Sequence, residues 1–335
     1  MAHLRPALTR WGWVALVVVL GAGAGAGAGC APHDDAPAAT AALPAGVDTL
    51  RTIADEPAVA VPLTVGERVV TEGVDLRRYA ISYPSGDLTI TGLLALPDGD
   101  GPHPALVVLH GYERTSYDPE RSMTQFEEAL VAAGYVVLHP DLRNYGGSGD
   151  DPESWDDLEV GATRDAVAAL RALAGAGLPS VDPARIGLVG LSQGGRIALC
   201  ATAVAPDLVQ ATVAMSPMSS DAWDNVGRFD ASLVDPVAGY LDRGTPQTQP
   251  AYWADVNPTT FVGPATPPVL VVQGDADVVV DPAWSDATVA AWQAAGGDAT
   301  LAVVPGADHV YSAHLAPAMA LVIAFLDEHL APASA

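Results

Sequence analysis

The chain has 335 residues and half of them are hydrophobic, so it can bury a large core and lacks the composition of a disordered protein. Its formal net charge of −25 at pH 7 repels phosphate backbones, which excludes nucleic acid as a partner of the folded part. The two cysteines, Cys30 and Cys200, are too few for a disulfide framework and lack the neighbours of a zinc or redox site.

Residues 1–30 have the layout of a secretory signal: basic residues, an apolar stretch over residues 11–20, and a Gly/Ala tract that ends at Cys30. The tripeptide Ala28-Gly29-Cys30 resembles a bacterial lipobox, although Gly27 stands where leucine is usual. We expect an exported protein, held at the cell envelope through a lipidated Cys30. The alternatives are cleavage without lipid, which gives a secreted or periplasmic protein, and an uncleaved membrane anchor.

An Ala/Pro/Asp-rich stretch over residues 31–46 is typical of a flexible tether. We assign residues 31–65 to a linker and N-terminal extension, and residues 66–332 to one folded domain. Within that domain, residues 75–83 and 88–96 alternate apolar and polar side chains around a Pro-Ser-Gly turn, which predicts a hairpin of two antiparallel edge strands.

Short apolar runs and helical stretches then alternate along the chain, which predicts a doubly wound, mostly parallel sheet with helices on both faces. The strands are expected at residues 105–109, 135–139, 186–190, 211–215, 269–273 and 300–304. The helices are expected at residues 122–133, 160–174, 194–204, 282–295 and 315–330. The segment 216–267, rich in Pro, Trp and Tyr, interrupts this order and is interpreted as a cap insertion.

The sequence Gly190-Leu191-Ser192-Gln193-Gly194 lies between a predicted buried strand and a predicted helix, the context of a nucleophile elbow. Ser192 would adopt a strained backbone conformation there, and side chains at positions 190 and 194 would collide with the neighbouring strand and helix. The pattern therefore predicts Ser192 as a catalytic nucleophile.

A serine hydroxyl needs an imidazole base, and the imidazole needs a carboxylate to fix its tautomer. Asp277 and His309 follow the strands at 269–273 and 300–304, so both are expected on the sheet edge that presents Ser192. Asp275 and Asp281 compete with Asp277 as the acid, but the first begins a turn and the second precedes a proline as a helix N-cap.

An oxyanion hole requires two backbone N–H donors. Gln193 follows the nucleophile directly and is one expected donor. The loop after the strand at 105–109 begins His110-Gly111-Tyr112, and the N–H of Tyr112 is the other, with Gly111 allowing close approach of the backbone.

The chain resembles the α/β-hydrolase superfamily from about residue 76 to residue 330, and the segments that carry the resemblance occur in the family's order. They are His110-Gly111, residues 141–148, 190–195 and 274–277, and Asp308-His309. Residues 192–195 and 267–274 are similar to the prolyl-oligopeptidase-like and dienelactone-hydrolase-like branches. Asn144 stands where those relatives commonly have glycine, which concerns loop geometry. Full prolyl oligopeptidases carry a β-propeller for which we expect no room here.

The resemblance implies a serine hydrolase with the α/β-hydrolase fold, and no metal or organic cofactor is implied. We expect a small-molecule ester or aminoacyl substrate, with an ester favoured because the cap aromatics suit a modest apolar group. The alternatives are a peptidase or amidase with the same triad, and a non-catalytic envelope lipoprotein.

Overall fold

A mixed nine-stranded sheet runs through the part of the chain that the computed structural model describes, residues 47–229 and 243–331. The predicted signal with Cys30 and the tether of residues 31–46 lie outside the described residues. The strands are β1 Thr64–Val69, β2 Arg77–Ser85, β3 Leu88–Leu96, β4 His103–Leu109, β5 Val136–Pro140, β6 Val181–Leu191, β7 Ala211–Met215, β8 Val269–Gly274 and β9 Ala299–Val304. The α-helices are α1 Leu50–Ala54, α2 Thr124–Ala132, α3 Val160–Gly175, α4 Gln193–Val204, α5 Ala222–Phe229, α6 Pro250–Asp255, α7 Pro282–Ala294 and α8 Leu315–His329.

The strand order across the sheet is β1-β2-β3-β5-β4-β6-β7-β8-β9. The first four strands in this order pair antiparallel, and every pairing from β5 to β9 is parallel. The predicted doubly wound, mostly parallel sheet with antiparallel N-terminal strands is thus confirmed. Because β6 to β9 are parallel neighbours, the loops at their carboxyl ends open on one edge of the sheet.

Successive side chains of the central strands enter different cores, since residues of a strand point alternately to its two faces. Leu106 and Val108 of β4 pack in a cluster that includes residues of α2 and α8. Val107 and Leu109 pack in another cluster, with residues of α3 and α4. Both faces are therefore covered by helices, which explains why the central strands are continuous apolar runs in the sequence.

The N-terminal strands differ from the prediction in one respect. The hairpin β2–β3 forms, but β1 occupies the edge and β3 pairs with β5, so the two hairpin strands are internal. Strand β1 has no buried position and hence no alternating pattern that would reveal it. Helix α1 also precedes the boundary drawn at residue 66, and its Leu50 and Ile53 are buried in the core.

The described parts of the predicted cap, residues 216–229 and 243–267, contain α5, α6 and a short 3₁₀ helix, Pro258–Phe261. Tyr252 and Trp253 of α6 are buried in the core cluster with α3 and α4, and Trp223 meets Trp253 edge to face at a ring distance of 4.8 Å. Since these three aromatic side chains pack against the protein itself, they do not support the inference from cap aromatics to an apolar substrate group. Tyr240 lies outside the described residues. Across the described helices, none is long and apolar enough to cross a membrane.

Candidate active site

Ser192 occupies the turn between β6 and α4 with φ of 57° and ψ of −119°. A positive φ is strained for a residue with a Cβ, so the surroundings must hold it. The N–H of Ser192 donates to the carbonyl of Met215 at 2.9 Å, and its own carbonyl accepts from the N–H groups of Arg196 and Met218 at 3.2 Å each. The backbone is thereby fixed on both sides of the side chain that the sequence predicted as nucleophile.

Two glycines make this turn sterically feasible. A Cβ on Gly190 would collide with the backbone of Gly194, and a Cβ on Gly194 would collide with the carbonyls of Leu109 and His110. The predicted steric reason for both glycines is confirmed. The close approach packs α4 directly against the ends of β4 and β6.

Asp277 and His309 are brought together by the loops after β8 and β9. His309 Nδ1 lies 2.8 Å from Asp277 Oδ2, and the two side chains are 14% and 0% exposed. An ionised carboxylate only accepts hydrogen bonds, so Nδ1 carries the hydrogen and Nε2 is left with a free lone pair. This is the tautomer that a general base requires.

The pKa of Asp277 is lowered from its ordinary value. Burial opposes ionisation, but the hydrogen bond from His309 and the backbone N–H groups of Val279 and Val280, at 2.8 and 3.0 Å from Oδ1, outweigh it. Gln273 Nε2 donates to Oδ2 at 3.1 Å, and Gln273 is itself held by Ser285 Oγ at 2.7 Å. Asp277 is therefore an oriented carboxylate.

The competing aspartates have structural roles. Asp275 accepts from the N–H of Gly306 at 2.6 Å and so joins the loops after β8 and β9. Asp281 is the N-cap of α7 and accepts from the N–H of Ala283 at 3.0 Å, as predicted. Neither contact involves a histidine.

Tyr311 is a positioning residue that the sequence analysis missed. It lies two residues after His309, has φ of 59° and is fully buried. Its hydroxyl donates to the carbonyl of Val272 in β8 at 2.8 Å and accepts from Ser216 Oγ, just after β7, at 2.9 Å. These two hydrogen bonds hold the loop of His309 against the carboxyl ends of β8 and β7.

The loop after β4 passes the nucleophile. A Cβ built on Gly111 would stand 3.3 Å from Ser192 Cβ and 3.8 Å from its Oγ, so only a glycine leaves open space beside the hydroxyl. Tyr112, the predicted oxyanion donor, is the next residue in the chain. Gln193 is the first residue of α4, where backbone N–H groups have no partner within the helix.

His110 anchors this loop, a role the sequence analysis did not assign. Its ring is buried, with Nδ1 2.7 Å from the carbonyl of Gly111 and Nε2 3.0 Å from that of Asp141. Its faces pack against Tyr117 and Tyr145 at ring distances of 4.5 and 4.6 Å. Burial lowers the pKa of His110 to about 4, so the ring is neutral at pH 7 and serves as a structural support.

The backbone conformation at Asn144 explains why asparagine can stand where the family commonly has glycine. Its φ of 66° lies in the left-handed region, which asparagine tolerates better than most side chains. The side chain donates to the carbonyl of Asp151 at 2.8 Å and accepts from the N–H of Asp151 at 2.6 Å. Asparagine therefore adopts the left-handed backbone conformation that glycine would supply, and its side chain adds two hydrogen bonds to the backbone of Asp151.

A strained loop before α3 contacts the nucleophile helix. Leu158 and Glu159 both have positive φ, 57° and 65°. Glu159 Oε2 lies 3.3 Å from Nε of the buried Arg196, and Glu159 Oε1 accepts from Gln193 Nε2 at 3.5 Å. Burial raises the pKa of neighbouring Asp157 to about 7.

A cavity of about 270 Å³ borders the candidate acid. Its lining residues are Arg228, Asp277, Val278, Val280, Asp281, Pro282 and Trp284. Arg228 of α5 donates to the carbonyl of Val278 at 2.9 Å and so joins the cap to the loop of Asp277. Within residues 47–229 and 243–331, no cluster of three or more His, Cys, Asp or Glu side chains could hold a metal ion.

The sheet topology and the elbow between β6 and α4 are those of the α/β-hydrolase fold, and the protein is a serine hydrolase. Its sequence narrows this class further, because the profile of the Prolyl oligopeptidase family matches residues 122–333, more than half of the chain. The chain belongs to that family.

Two esterases and a lipase are among the proteins that the chain resembles. The chain is 30% identical over 165 residues to the sn-1-specific diacylglycerol lipase ABHD11 of Mus musculus, a match that spans 48% of this chain and 45% of the lipase. Est1E of Butyrivibrio proteoclasticus, solved with ferulic acid, is similar with a TM-score of 0.60 and 22% identity, covering 75% of this chain and 99% of Est1E. Acetyl xylan esterase 1 of Thermoanaerobacterium sp. has the same TM-score and identity, covering 83% of this chain and 92% of the esterase. At this identity the solved structures establish the fold.

Proposed function

We propose that the protein hydrolyses carboxylic esters through an acyl-enzyme formed on Ser192. The observation that carries the proposal is the 2.8 Å hydrogen bond between His309 Nδ1 and Asp277 Oδ2, on the sheet edge where the strained Ser192 ends β6. A base with a fixed tautomer on the same sheet edge as a half-buried serine is the arrangement that acyl transfer needs.

In the proposed mechanism, Ser192 Oγ attacks the ester carbonyl carbon while its proton passes to His309 Nε2. The resulting oxyanion accepts hydrogen bonds from the N–H groups of Tyr112 and Gln193. The carbon–oxygen bond to the alcohol then breaks, and His309 returns the proton to the leaving oxygen. In the second half, water attacks the acyl group, His309 takes and returns a proton again, and a carboxylic acid and free Ser192 result. Asp277 stabilises the imidazolium in both halves.

An ester is favoured over an amide on two grounds. An alcohol needs less protonation to leave than an amine does, and the relatives named above are esterases and a lipase. Four of the seven residues that line the cavity of about 270 Å³ beside Asp277 are apolar, namely Val278, Val280, Pro282 and Trp284, and this part of the lining fits an apolar substituent of modest size.

The second candidate is a peptidase or amidase, favoured by membership of the Prolyl oligopeptidase family. Rates on p-nitrophenyl esters and on aminoacyl anilides, measured in parallel on the purified domain, separate the two. We expect higher kcat/KM on the esters, and faster anilide turnover would overturn the ester proposal.

The nucleophile is tested by a fluorophosphonate probe, which reacts with an activated serine. We expect the wild type to be labelled and Ser192→Ala not to be. If the wild type is not labelled, the assignment of Ser192 as an activated nucleophile fails. Equal labelling of both proteins would place the reactive serine elsewhere.

We further propose that the enzyme is exported and attached to a membrane through a lipidated Cys30. The support is the signal-like layout of residues 1–30 that ends in Ala28-Gly29-Cys30. The mass of the mature N-terminus tests this proposal. A diacylglyceryl-modified Cys30 is expected, cleavage without lipid would make the protein secreted or periplasmic, and an intact residue 1 would indicate an anchor.

A further inference from the structure

A second cavity, of about 340 Å³, lies between the N-terminal extension, helix α3 and the β2–β3 turn. None of its lining residues borders the cavity beside Asp277 or belongs to the candidate triad. Because a water molecule takes up about 30 Å³ of liquid, this space fits a ligand of roughly ten non-hydrogen atoms. The lining comprises Ile53, Glu56, Val59, Ala60, Val61, Pro84, Ser85, Gly86, Arg164, Val167, Ala168 and Arg171.

The charge of this lining is opposite to that of the protein as a whole. It includes two arginines, Arg164 and Arg171, in a chain with a net charge of −25. Glu56 is the one acidic lining residue, and it pairs with Arg164, which also binds Asp48 at 3.1 Å. Among the described residues, Arg171 has no acidic partner, so within residues 47–229 and 243–331 its guanidinium has no counter-ion.

Two buried donors on the same lining lack acceptors. Neither Ser85 Oγ nor Arg171 Nε has a hydrogen-bond partner within the described part of the chain, and Ser85 is 3% exposed. A buried donor without a partner carries a free-energy cost that an acceptor in the cavity would remove. Both donors call for an acceptor, and the unpaired guanidinium calls for an anionic one.

The other walls are apolar. Ile53, Val61, Val167 and Ala168 surround the space, and all four belong to the main hydrophobic core or pack against it. A fully hydrated ion such as phosphate would leave these apolar side chains in contact with water. A ligand with an anionic end and a short apolar tail satisfies both parts of the lining.

We propose that this cavity is a binding site for a small monocarboxylate with a short aliphatic or aromatic tail, its carboxylate held by Arg171 and Ser85. The site does not depend on the proposed ester hydrolysis, although such a carboxylate is the kind of acid that ester hydrolysis would release.

Binding is tested by calorimetric titration of hexanoate into the Ser192→Ala protein, so that turnover does not contribute. We expect one saturable site, weakened roughly tenfold or more by Arg171→Gln, which removes a charge-assisted hydrogen bond. Ala168→Phe fills the cavity and should abolish binding. Arg68→Gln on the exposed edge strand is the matched control and should leave binding unchanged.

Two further ligands test the chemical class. Hexanamide has the tail without the charge, and inorganic phosphate has the charge without the tail, so both should bind at least roughly tenfold more weakly than hexanoate. Unchanged hexanoate binding in both Arg171→Gln and Ala168→Phe would overturn the proposal, as would phosphate binding equal to hexanoate. Thermal unfolding of each variant verifies folding. Fluorophosphonate labelling of the Arg171→Gln chain with Ser192 intact reports separately on the proposed hydrolase.

Discussion

Replacing Asp277 with asparagine should nearly abolish catalysis while leaving the fold intact. Oδ1 of Asp277 accepts two backbone hydrogen bonds, from Val279 and Val280 at 2.8 and 3.0 Å, so the amide oxygen of the asparagine must take that position. Its NH₂ group then faces His309 Nδ1 and becomes a donor where the wild type has an acceptor. The imidazole must adopt the other tautomer, with its hydrogen on Nε2, and can no longer take the proton of Ser192.

A wrong tautomer of this kind costs about 10⁴-fold in kcat, which corresponds to about 5.5 kcal/mol of transition-state free energy. The NH₂ group would also face Gln273 Nε2, a donor 3.1 Å from the present oxygen, so no rotamer restores the wild-type pattern. The assay is kcat on p-nitrophenyl acetate, together with the rate of fluorophosphonate labelling.

Asp275→Asn is the matched control, since Asp275 only accepts from the N–H of Gly306 and an amide oxygen preserves that contact. We expect it to retain kcat within a factor of about three. If Asp277→Asn stays within tenfold of the wild type, or Asp275→Asn loses more activity, the assignment of the acid is wrong.

Two further substitutions test the supports of the site. Tyr311→Phe removes the hydrogen bonds to the Val272 carbonyl and from Ser216, and should cost about 1–3 kcal/mol in urea unfolding. The substitution should also lower kcat more than it raises KM, because it loosens the loop of His309. If kcat is unchanged while the same stability is lost, Tyr311 supports only the fold. Asn144→Gly preserves the left-handed backbone, whereas Asn144→Val should destabilise by about 2 kcal/mol more, measured by the same unfolding. Equal stability of the two variants would contradict the backbone argument.

Strands that are buried on both faces are among the parts of the fold that could be predicted from the sequence. All six residues of β8 are buried, so both of its faces are covered and its apolar run stands out in the sequence. The elbow could be predicted because its glycines form a recognisable local pattern around Ser192, although the contacts that require glycine are local only at position 190 and involve Leu109 and His110 at position 194. Strand β1 could not be found because five of its six residues are exposed and its position depends on pairing with β2.

The supports of the site depend on contacts between distant parts of the chain. Tyr311 bonds Ser216, 95 residues away, and no local pattern indicates such a partner. Gln273 gave a faint signal, as a polar residue at the end of an apolar strand, but its bond to Asp277 depends on how the next loop folds back. The aromatic residues of the cap could not be assigned from the sequence, because composition shows that tryptophan and tyrosine are present but not whether they face the core or a substrate.

Asp157 provides a prediction about pH. Burial raises its pKa to about 7, from about 3.9 in the unfolded chain, because desolvation of the carboxylate outweighs the one hydrogen bond that stabilises it, from the N–H of Gly161 at 2.7 Å. The other carboxylate oxygen has no hydrogen-bond partner in the described residues. A raised folded-state pKa means that the stability linked to this group is fully present below about pH 3.9 and is lost as pH rises through about 7. Asp157→Asn mimics the protonated form at every pH.

The substitution should therefore stabilise the protein at pH 8 and have little effect near pH 4. The pKa difference of about three units sets an upper value of about 4 kcal/mol for the gain at pH 8. Urea unfolding at both pH values measures it, with the exposed Asp298→Asn as a control that should change stability at neither. A gain at pH 4 equal to that at pH 8 would show that the asparagine acts through packing or hydrogen bonding rather than through the charge. A loss of stability at pH 8 would mean that Asp157 is held ionised, with Arg143 as its counter-ion.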